Sequence, residues 1–249
     1  MSLPLFEHGA TRLNEIVRPG MLCAFDFDGV LAPVVRDPER ADIPPAVLRR
    51  LMTLSEMSRV AVVSARCVDD IAMRVDFMPE FVIGNHGLEG LPEFDSESAR
   101  YHALCVEWER QLQECTAMAP GLRIENRGCS LAVHCRMGGC DGELEQRLMK
   151  LFASLQPTPR IVAGKYALNL LPADVPGKGE LLMRLRTACA APAALYVCDD
   201  VSDDEVLKLR AQDWLTVRVD GPGEAEFCLA HRLDIVQLLD MLIQKLEQA

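Results

Sequence analysis

Asp26 and Asp28 stand two residues apart where an apolar run, MLCAFDFDG, gives out, and Gly29 follows them. In extended chain, residues i and i+2 point to one side, so both carboxylates are expected to face one pocket. A second acidic group, CDDVSDDE, ends a later apolar run and supplies Asp199, Asp200, Asp203 and Asp204. Carboxylates gathered from separate strand ends repel one another unless a cation lies among them. The hard cation suited to one or two carboxylates plus water and phosphate oxygens is Mg²⁺. Any single aspartate after a strand serves equally well as a helix cap. The joint presence of Asp26, Asp28 and Asp199 favours the cation.

Two further residues narrow the chemistry. Ser64 closes the apolar run VAVV, and Lys178 sits in PGKG at the entry to a helical pattern. A hydroxyl, the backbone amides of a helix start and an ammonium together suit the oxygens of a dianionic phosphoryl group. Taken singly, Ser64 fits a helix cap as well, and Lys178 a solvated surface charge. Their order in the chain is the stronger signal.

The elements that must position these groups alternate. The run Met21 to Phe27 reads as a strand, and Pro44 opens a helical pattern carrying Leu48, Leu51, Met52 and Leu54. Val60 to Val63 reads as a second strand, Val68 to Val75 as a helix, and Phe81 to Ile83 as a third strand before GNHG. This βαβαβ rhythm implies a parallel sheet covered on both faces, with ligands beyond the carboxyl ends of its strands. From about Leu91 the rhythm changes to αββαββ: a helix from Ser98 to Met118, strands at Leu122–Glu125 and Cys129–Cys135, a helix from Gly142 to Leu155, and strands at Arg160–Val162 and Tyr166–Leu171. The stretch LLPADVPGKG reads as a return linker. Beyond it come a helix from Gly179 to Cys189, strand Ala194–Cys198, a helix from Ser202, strand Leu215–Val219 and a helix from Leu233 to Glu247. The expected division is a core of residues 1–91 and 173–249 with a module of residues 92–172 inserted into it.

Composition sets the surroundings. The 249 residues carry 26 Lys+Arg against 37 Asp+Glu, a net charge of −11, with 5% aromatics. An acidic, ring-poor surface argues against nucleic acid, which needs cations for its phosphates and rings for its bases. No leader pattern opens the sequence and no run approaches about 18 apolar residues, so a cytoplasmic chain without a membrane partner is expected. The ten cysteines form no CxxC pair, and most lie in apolar segments. They read as buried reduced thiols.

The order DFDGV, VVSAR, GKG, CDDVSDDE resembles the four-motif signature of the haloacid dehalogenase superfamily, in its phosphatase branch. The resemblance implies an α/β, Rossmann-like parallel-sheet core with an inserted α+β cap of the C2 type. It implies Asp26 as the nucleophile and Asp28 as general acid, then base. It further implies Mg²⁺ held by Asp26, the Asp28 carbonyl and Asp199 with Asp203 in support, and Ser64 and Lys178 on the phosphoryl oxygens.

GNHGLE, ENRGCSLAVHCR and YVCDDVSDDE are in addition similar to motifs of the trehalose-6-phosphate phosphatases. That likeness extends over most of residues 20–240. It implies hydrolysis of trehalose 6-phosphate in trehalose biosynthesis, with Arg66, Asn85, His86, Glu89, His134, Arg136, Asn169 and Asp200 as substrate-binding candidates. A trehalose-phosphate synthase partner and a monomeric chain belong to the same expectation.

Three departures qualify the likeness. Asn169 and Leu171 replace a glutamate and a basic residue of the family's cap strand, Ala65 replaces a glycine, and Cys198 stands where a glycine precedes the metal-binding pair. The alternatives they leave open are a related sugar-phosphate phosphatase with altered cap specificity, or a catalytically reduced module that binds a sugar phosphate or a partner.

Overall fold

The computed structural model describes residues 2–35, 38–91, 96–116, 123–134, 142–164, 167–199, 203–208, 211–221 and 223–249. The chain divides into two compact units, Met1–Gly87 with Gly177–Ala249, and Leu88–Pro176.

The first unit is built on a parallel sheet. Its strands are β1 (Leu3–Pro4), β2 (Leu22–Asp26), β3 (Arg59–Val63), β4 (Phe81–Ile83), β9 (Ala194–Cys198), β10 (Trp214–Arg218) and β11 (Phe227–Cys228), in the order β1-β11-β10-β9-β2-β3-β4. Every strand pair in it is parallel. The helices are α1 (Leu5–His8), α2 (Ala10–Ile16), α3 (Pro45–Ser55), α4 (Val68–Ala72), α7 (Lys178–Ala188), α8 (Asp204–Leu207) and α9 (Ile235–Glu247).

Alternation along the strands sorts the two faces. Cys23 and Phe25 of β2, Val60 and Val62 of β3, and Leu195 and Val197 of β9 pack with Leu13, Leu51, Leu54, Leu238 and Leu242 in one apolar core. The alternate residues Ala24, Asp26, Tyr196 and Cys198 fall on the other face, where Lys178 at the start of α7 reaches Asp26. One face is thus given to cohesion and the other, at its carboxyl end, to charge.

The sequence pattern needed adjustment in places. Helix α4 stops at Ala72, short of the expected Val75. In α3 the buried residues are Val47, Leu51 and Leu54, whereas Met52 is exposed. The strands β1 and β11 and the helices α1 and α2 have no counterpart in the sequence reading, since two-residue strands and such short helices carry little periodicity.

The second unit is α+β. Helix α5 (Ser98–Thr116) precedes β5 (Arg123–Asn126) and β6 (Leu131–His134), and α6 (Gly142–Ser154) precedes β7 (Arg160–Ala163) and β8 (Ala167–Leu171). The strands form an antiparallel sheet in the order β5-β6-β8-β7. Leu131, Val133, Leu168 and Leu170 face Cys105, Trp108, Leu112, Leu148 and Phe152 of the two helices. The intervening Ala132 and Asn169, paired across β6 and β8, are buried as well. Residues 117–118, 122, 135 and 166 of the expected elements lie outside the described residues, as does Ser202. Among the described residues no helix is long and apolar enough to cross a membrane. Among the described residues Cys23, Cys67, Cys105, Cys129, Cys189, Cys198 and Cys228 take part in no disulfide.

Candidate active site

The acidic site of the first unit begins where β2 ends. Asp26, its last residue, is almost fully buried. The chain then turns: Phe27 donates its N–H to Val63 O at 3.1 Å, and Ala32 donates back to Phe27 O at 2.9 Å. Gly29 adopts a φ of +79°, and a Cβ there would overlap the Asp199 carboxylate that follows β9. Only glycine both takes this φ without strain and leaves Asp199 its place.

Lys178 enters from α7. Its buried Nζ lies 3.3 Å from Asp26 Oδ1 and also donates to Asp203 Oδ1. Tyr196, on the same face of the sheet, donates its hydroxyl to Asp203 Oδ1 at 2.9 Å, and the Lys178 ammonium sits 5.6 Å from the centre of its ring. Burial works against the ammonium, but Asp203 and Asp26 outweigh it and hold Lys178 protonated, its pKa above the usual lysine range. Burial also drives the Asp26 carboxyl well above the usual carboxylate range. Lys178 opposes that, while Asp203, Asp199 and, least, Asp28 add to it. Asp26, Asp199 and Asp203 with one buried lysine are short of positive charge.

The donors fit a hard divalent cation. They are carboxylate oxygens, and Oδ2 of the fully buried Asp203 accepts no hydrogen bond among the described residues. A buried, unpartnered carboxylate oxygen is costly unless something charged completes it. The thiol of Cys198 is pushed well up by burial first and then by Asp203.

Asp28 is held differently. Arg66, just past β3, donates Nε to Asp28 Oδ2 at 2.7 Å and Nη2 to Asp28 Oδ1 at 2.9 Å, while its Nη1 reaches Asp70 Oδ2 at 2.8 Å. Arg74 grips the other oxygen of Asp70, Oδ1, at 2.7 and 3.0 Å. Burial raises the Asp70 carboxyl, but the bonds from Arg74 and Arg66 outweigh it and hold it below the usual range.

Ser64 is buried next to this pair, its Oγ accepting the Arg66 N–H at 3.1 Å and its O accepting His86 N–H at 3.1 Å. Asn85, His86 and Gly87 all take left-handed φ values, 49°, 58° and 105°. Such backbone is strained for the two non-glycines and fixes their direction. A Cβ at Gly87 would overlap Leu181 of α7, so the glycine allows this turn to lie on the helix that carries Lys178.

Thus Asp26, Asp199, Asp203 and Lys178 come together, and Asp28 joins Arg66 and Ser64 beside them. Asp200 and Arg136 lie outside the described residues. Tyr196, Asp70 and Arg74 were not among the sequence candidates. Tyr196 alone had a signal, a polar-tipped ring within the otherwise apolar ALYVC.

The remaining candidates lie in the second unit. His134 Nε2 is 2.6 Å from Glu125 Oε2, and Arg127 Nη2 is 3.1 Å from the same oxygen. The His134 bond, working against burial and assisted by Arg127, holds the Glu125 carboxyl far below its usual range. Asn169 gives its Nδ2 to Val162 O at 3.2 Å, and Leu171 packs with Leu88, Tyr101, Cys129 and Val175. Glu89 is half-buried near His102 and Cys129.

A family model described as trehalose-phosphatase matches residues 24–217. Among curated proteins the chain is similar to the trehalose-phosphate phosphatase of Mycobacterium tuberculosis, 25% identical over 241 residues, covering 90% of this chain and 62% of that protein. It is also similar to the probable trehalose-phosphate phosphatase J of Arabidopsis thaliana, 26% identical over 270 residues, covering 98% and 72%. The chain therefore spans less than two thirds of the mycobacterial relative's length. Among solved structures, the trehalose-6-phosphate phosphatase of Aspergillus fumigatus aligns with a TM-score of 0.66 at 25% identity, over 98% of this chain and 99% of that one.

Proposed function

The chain belongs to the trehalose-phosphatase family, and from that premise we propose that it is a Mg²⁺-dependent phosphomonoesterase that hydrolyses trehalose 6-phosphate to trehalose and phosphate. The observation that carries the reading is the buried meeting of Asp26, at the end of β2, with Lys178 and Asp203.

In the reaction a carboxylate oxygen of Asp26 bonds to phosphorus while the bond from phosphorus to the sugar oxygen breaks. Asp28 gives its proton to that leaving oxygen. It then takes a proton from the water that attacks the aspartyl-phosphate, which releases phosphate and restores Asp26. Lys178 and Ser64 hold the phosphoryl oxygens, with the Lys178 ammonium already fixed between two carboxylates. Arg66 orients Asp28 through the two bonds of its planar fork. The Asp26 carboxylate, the Asp28 carbonyl and Asp199, with Asp203 in support, would hold Mg²⁺, which would supply positive charge to offset the repulsion between the nucleophile and the phosphate. Asn85 and His86 are the hydrogen-bonding groups of the first unit assigned to sugar hydroxyls.

A second reading, a different sugar phosphate as substrate, is favoured by one observation. The Asn169 amide is spent on Val162 O, and Leu171 lies within an apolar cluster, so neither offers a sugar the charged groups expected at those positions.

The test is phosphate release from a panel of sugar phosphates by the purified full chain, with Mg²⁺ and with EDTA, alongside Asp26→Asn. Expected is Mg²⁺-dependent turnover fastest on trehalose 6-phosphate, and loss of at least about 10⁴-fold in Asp26→Asn. Faster turnover of another ester would shift the substrate and keep the mechanism. Undiminished turnover by Asp26→Asn would end it.

A further inference from the structure

The second unit carries a group of side chains that the proposed reaction does not use. Glu89, His102 and Cys129 bring a carboxylate oxygen, an imidazole nitrogen and a thiol sulfur within 4.8 Å of one another. They come from three separate segments: the stretch after the Asn85–Gly87 turn, helix α5, and the turn between β5 and β6. Nothing in their spacing along the chain marks them, which is why a search for paired-cysteine motifs passes over them.

The packing holds these segments together beneath the donors. Leu88, Tyr101 and Cys129 belong to one buried apolar cluster, so the immediate neighbours of Glu89 and His102 are fixed against Cys129 itself. The turn before Cys129 is closed by Arg127 N–H to Ser130 O at 2.9 Å and by Gly128 N–H to Asn126 Oδ1 at 2.9 Å. Gly128 has a φ of +84°, and a Cβ there would sit 3.0 Å from both Cε1 and Nε2 of His102. A glycine therefore gives the imidazole room to lie over the turn. Cys129 is fully buried, whereas His102 is exposed, which leaves an entry path on the imidazole side.

We propose that Glu89, His102 and Cys129 form a binding site for a divalent cation of borderline softness, zinc foremost, which fastens the entry segment, α5 and the β5–β6 turn of the second unit to one another. The donor chemistry separates it from the carboxylate site of the first unit. Magnesium demands oxygen ligands, whereas a mixed nitrogen, sulfur and oxygen set selects zinc. Bonds of about 2.0–2.3 Å to such donors bring them closer together than 4.8 Å, a movement that rotation of the exposed His102 can supply. Three protein ligands leave a fourth tetrahedral position for water. On binding, the Cys129 thiol loses its proton to solvent and its sulfur takes up the cation, with no change of oxidation state.

The experiment uses the full chain, reduced and freed of metal by chelation, titrated with Co²⁺ as a spectroscopic stand-in for zinc in the presence of excess Mg²⁺. Expected is a thiolate-to-cobalt charge-transfer absorption that saturates at one equivalent, is abolished by Zn²⁺, and persists in Asp26→Asn. Cys129→Ser should lose the absorption, and His102→Ala should weaken Co²⁺ binding about tenfold or more. Absence of the charge-transfer band, or a band that survives Cys129→Ser, overturns the site. Should Cys129→Ser fail to fold, the exposed His102→Ala decides, and an unchanged affinity there overturns the site equally. Phosphate release measured on the same samples reads the first unit separately, so either proposal can fail alone.

Discussion

The guanidinium of Arg66 grips both carboxylate oxygens of Asp28, at 2.7 and 2.9 Å, from just past β3, the strand next to the one that carries Asp26. A lysine at this position keeps the charge but cannot hold two oxygens in one plane. Arg66→Lys is expected to lower kcat about tenfold to hundredfold through misplacement of the proton-transferring carboxyl. KM should change much less. Steady-state kinetics on the phosphate ester reads both quantities, and an unchanged kcat would show that the grip is dispensable.

Lys178 is the buried counter-charge of two buried acids, and its removal leaves them facing each other. Lys178→Met is expected to cost about 3–5 kcal/mol of stability, the usual penalty for deleting one member of a buried ion pair. Turnover should be lost as well. Thermal denaturation in Mg²⁺ and in EDTA checks this, and the cation should recover part of the lost stability in the variant.

Gly29→Ala adds one methyl group at a φ of +79°, directly against Asp199. The left-handed backbone costs about 1–2 kcal/mol for an L-residue. The overlap displaces a carboxylate assigned to the cation. The Mg²⁺ concentration giving half-maximal activity is expected to rise at least about tenfold, as measured by titrating the metal-free enzyme.

Asp70 supplies a pH-dependent contribution. Although burial raises its carboxyl, Arg74 and Arg66 hold it below the unfolded-state value. The stability it adds is therefore present above the ordinary carboxylate range and is lost as pH falls through the lowered folded-state value. Asp70→Asn should accordingly have a lower Tm than the parent at neutral pH. The gap should narrow on acidification below about pH 4. Melting curves across that window check the sign.

The sequence disclosed much of this arrangement because its chemistry is local. Asp26, Ser64 and Asp199 each follow a short apolar run, and a parallel sheet brings such run-ends to one edge whatever the strand order. Lys178 was legible from a glycine-flanked helix start. What stayed hidden depends on pairing between distant segments. Tyr196 joins the site only because β9 lies beside β2; Asp70, by contrast, pairs with arginines only four residues away on either side, a spacing that the sequence displays without marking it as part of a site. Glu125 lay within a recognised motif, yet its bond to His134 follows from the antiparallel register of β5 and β6. Strands β1 and β11, two residues each, hold their place through pairing alone.

The row of seven strands has β2 in its interior, four strands from one border and two from the other. Fraying of a sheet starts at its borders and works inward. The backbone amides of Ala24 and Phe25 should then be among the slowest to exchange with deuterated solvent, and the tip bearing Asp26 inherits that quiet. A residue proposed to become an acyl phosphate and revert at every turnover is thus expected to be mounted on one of the least restless parts of the sheet.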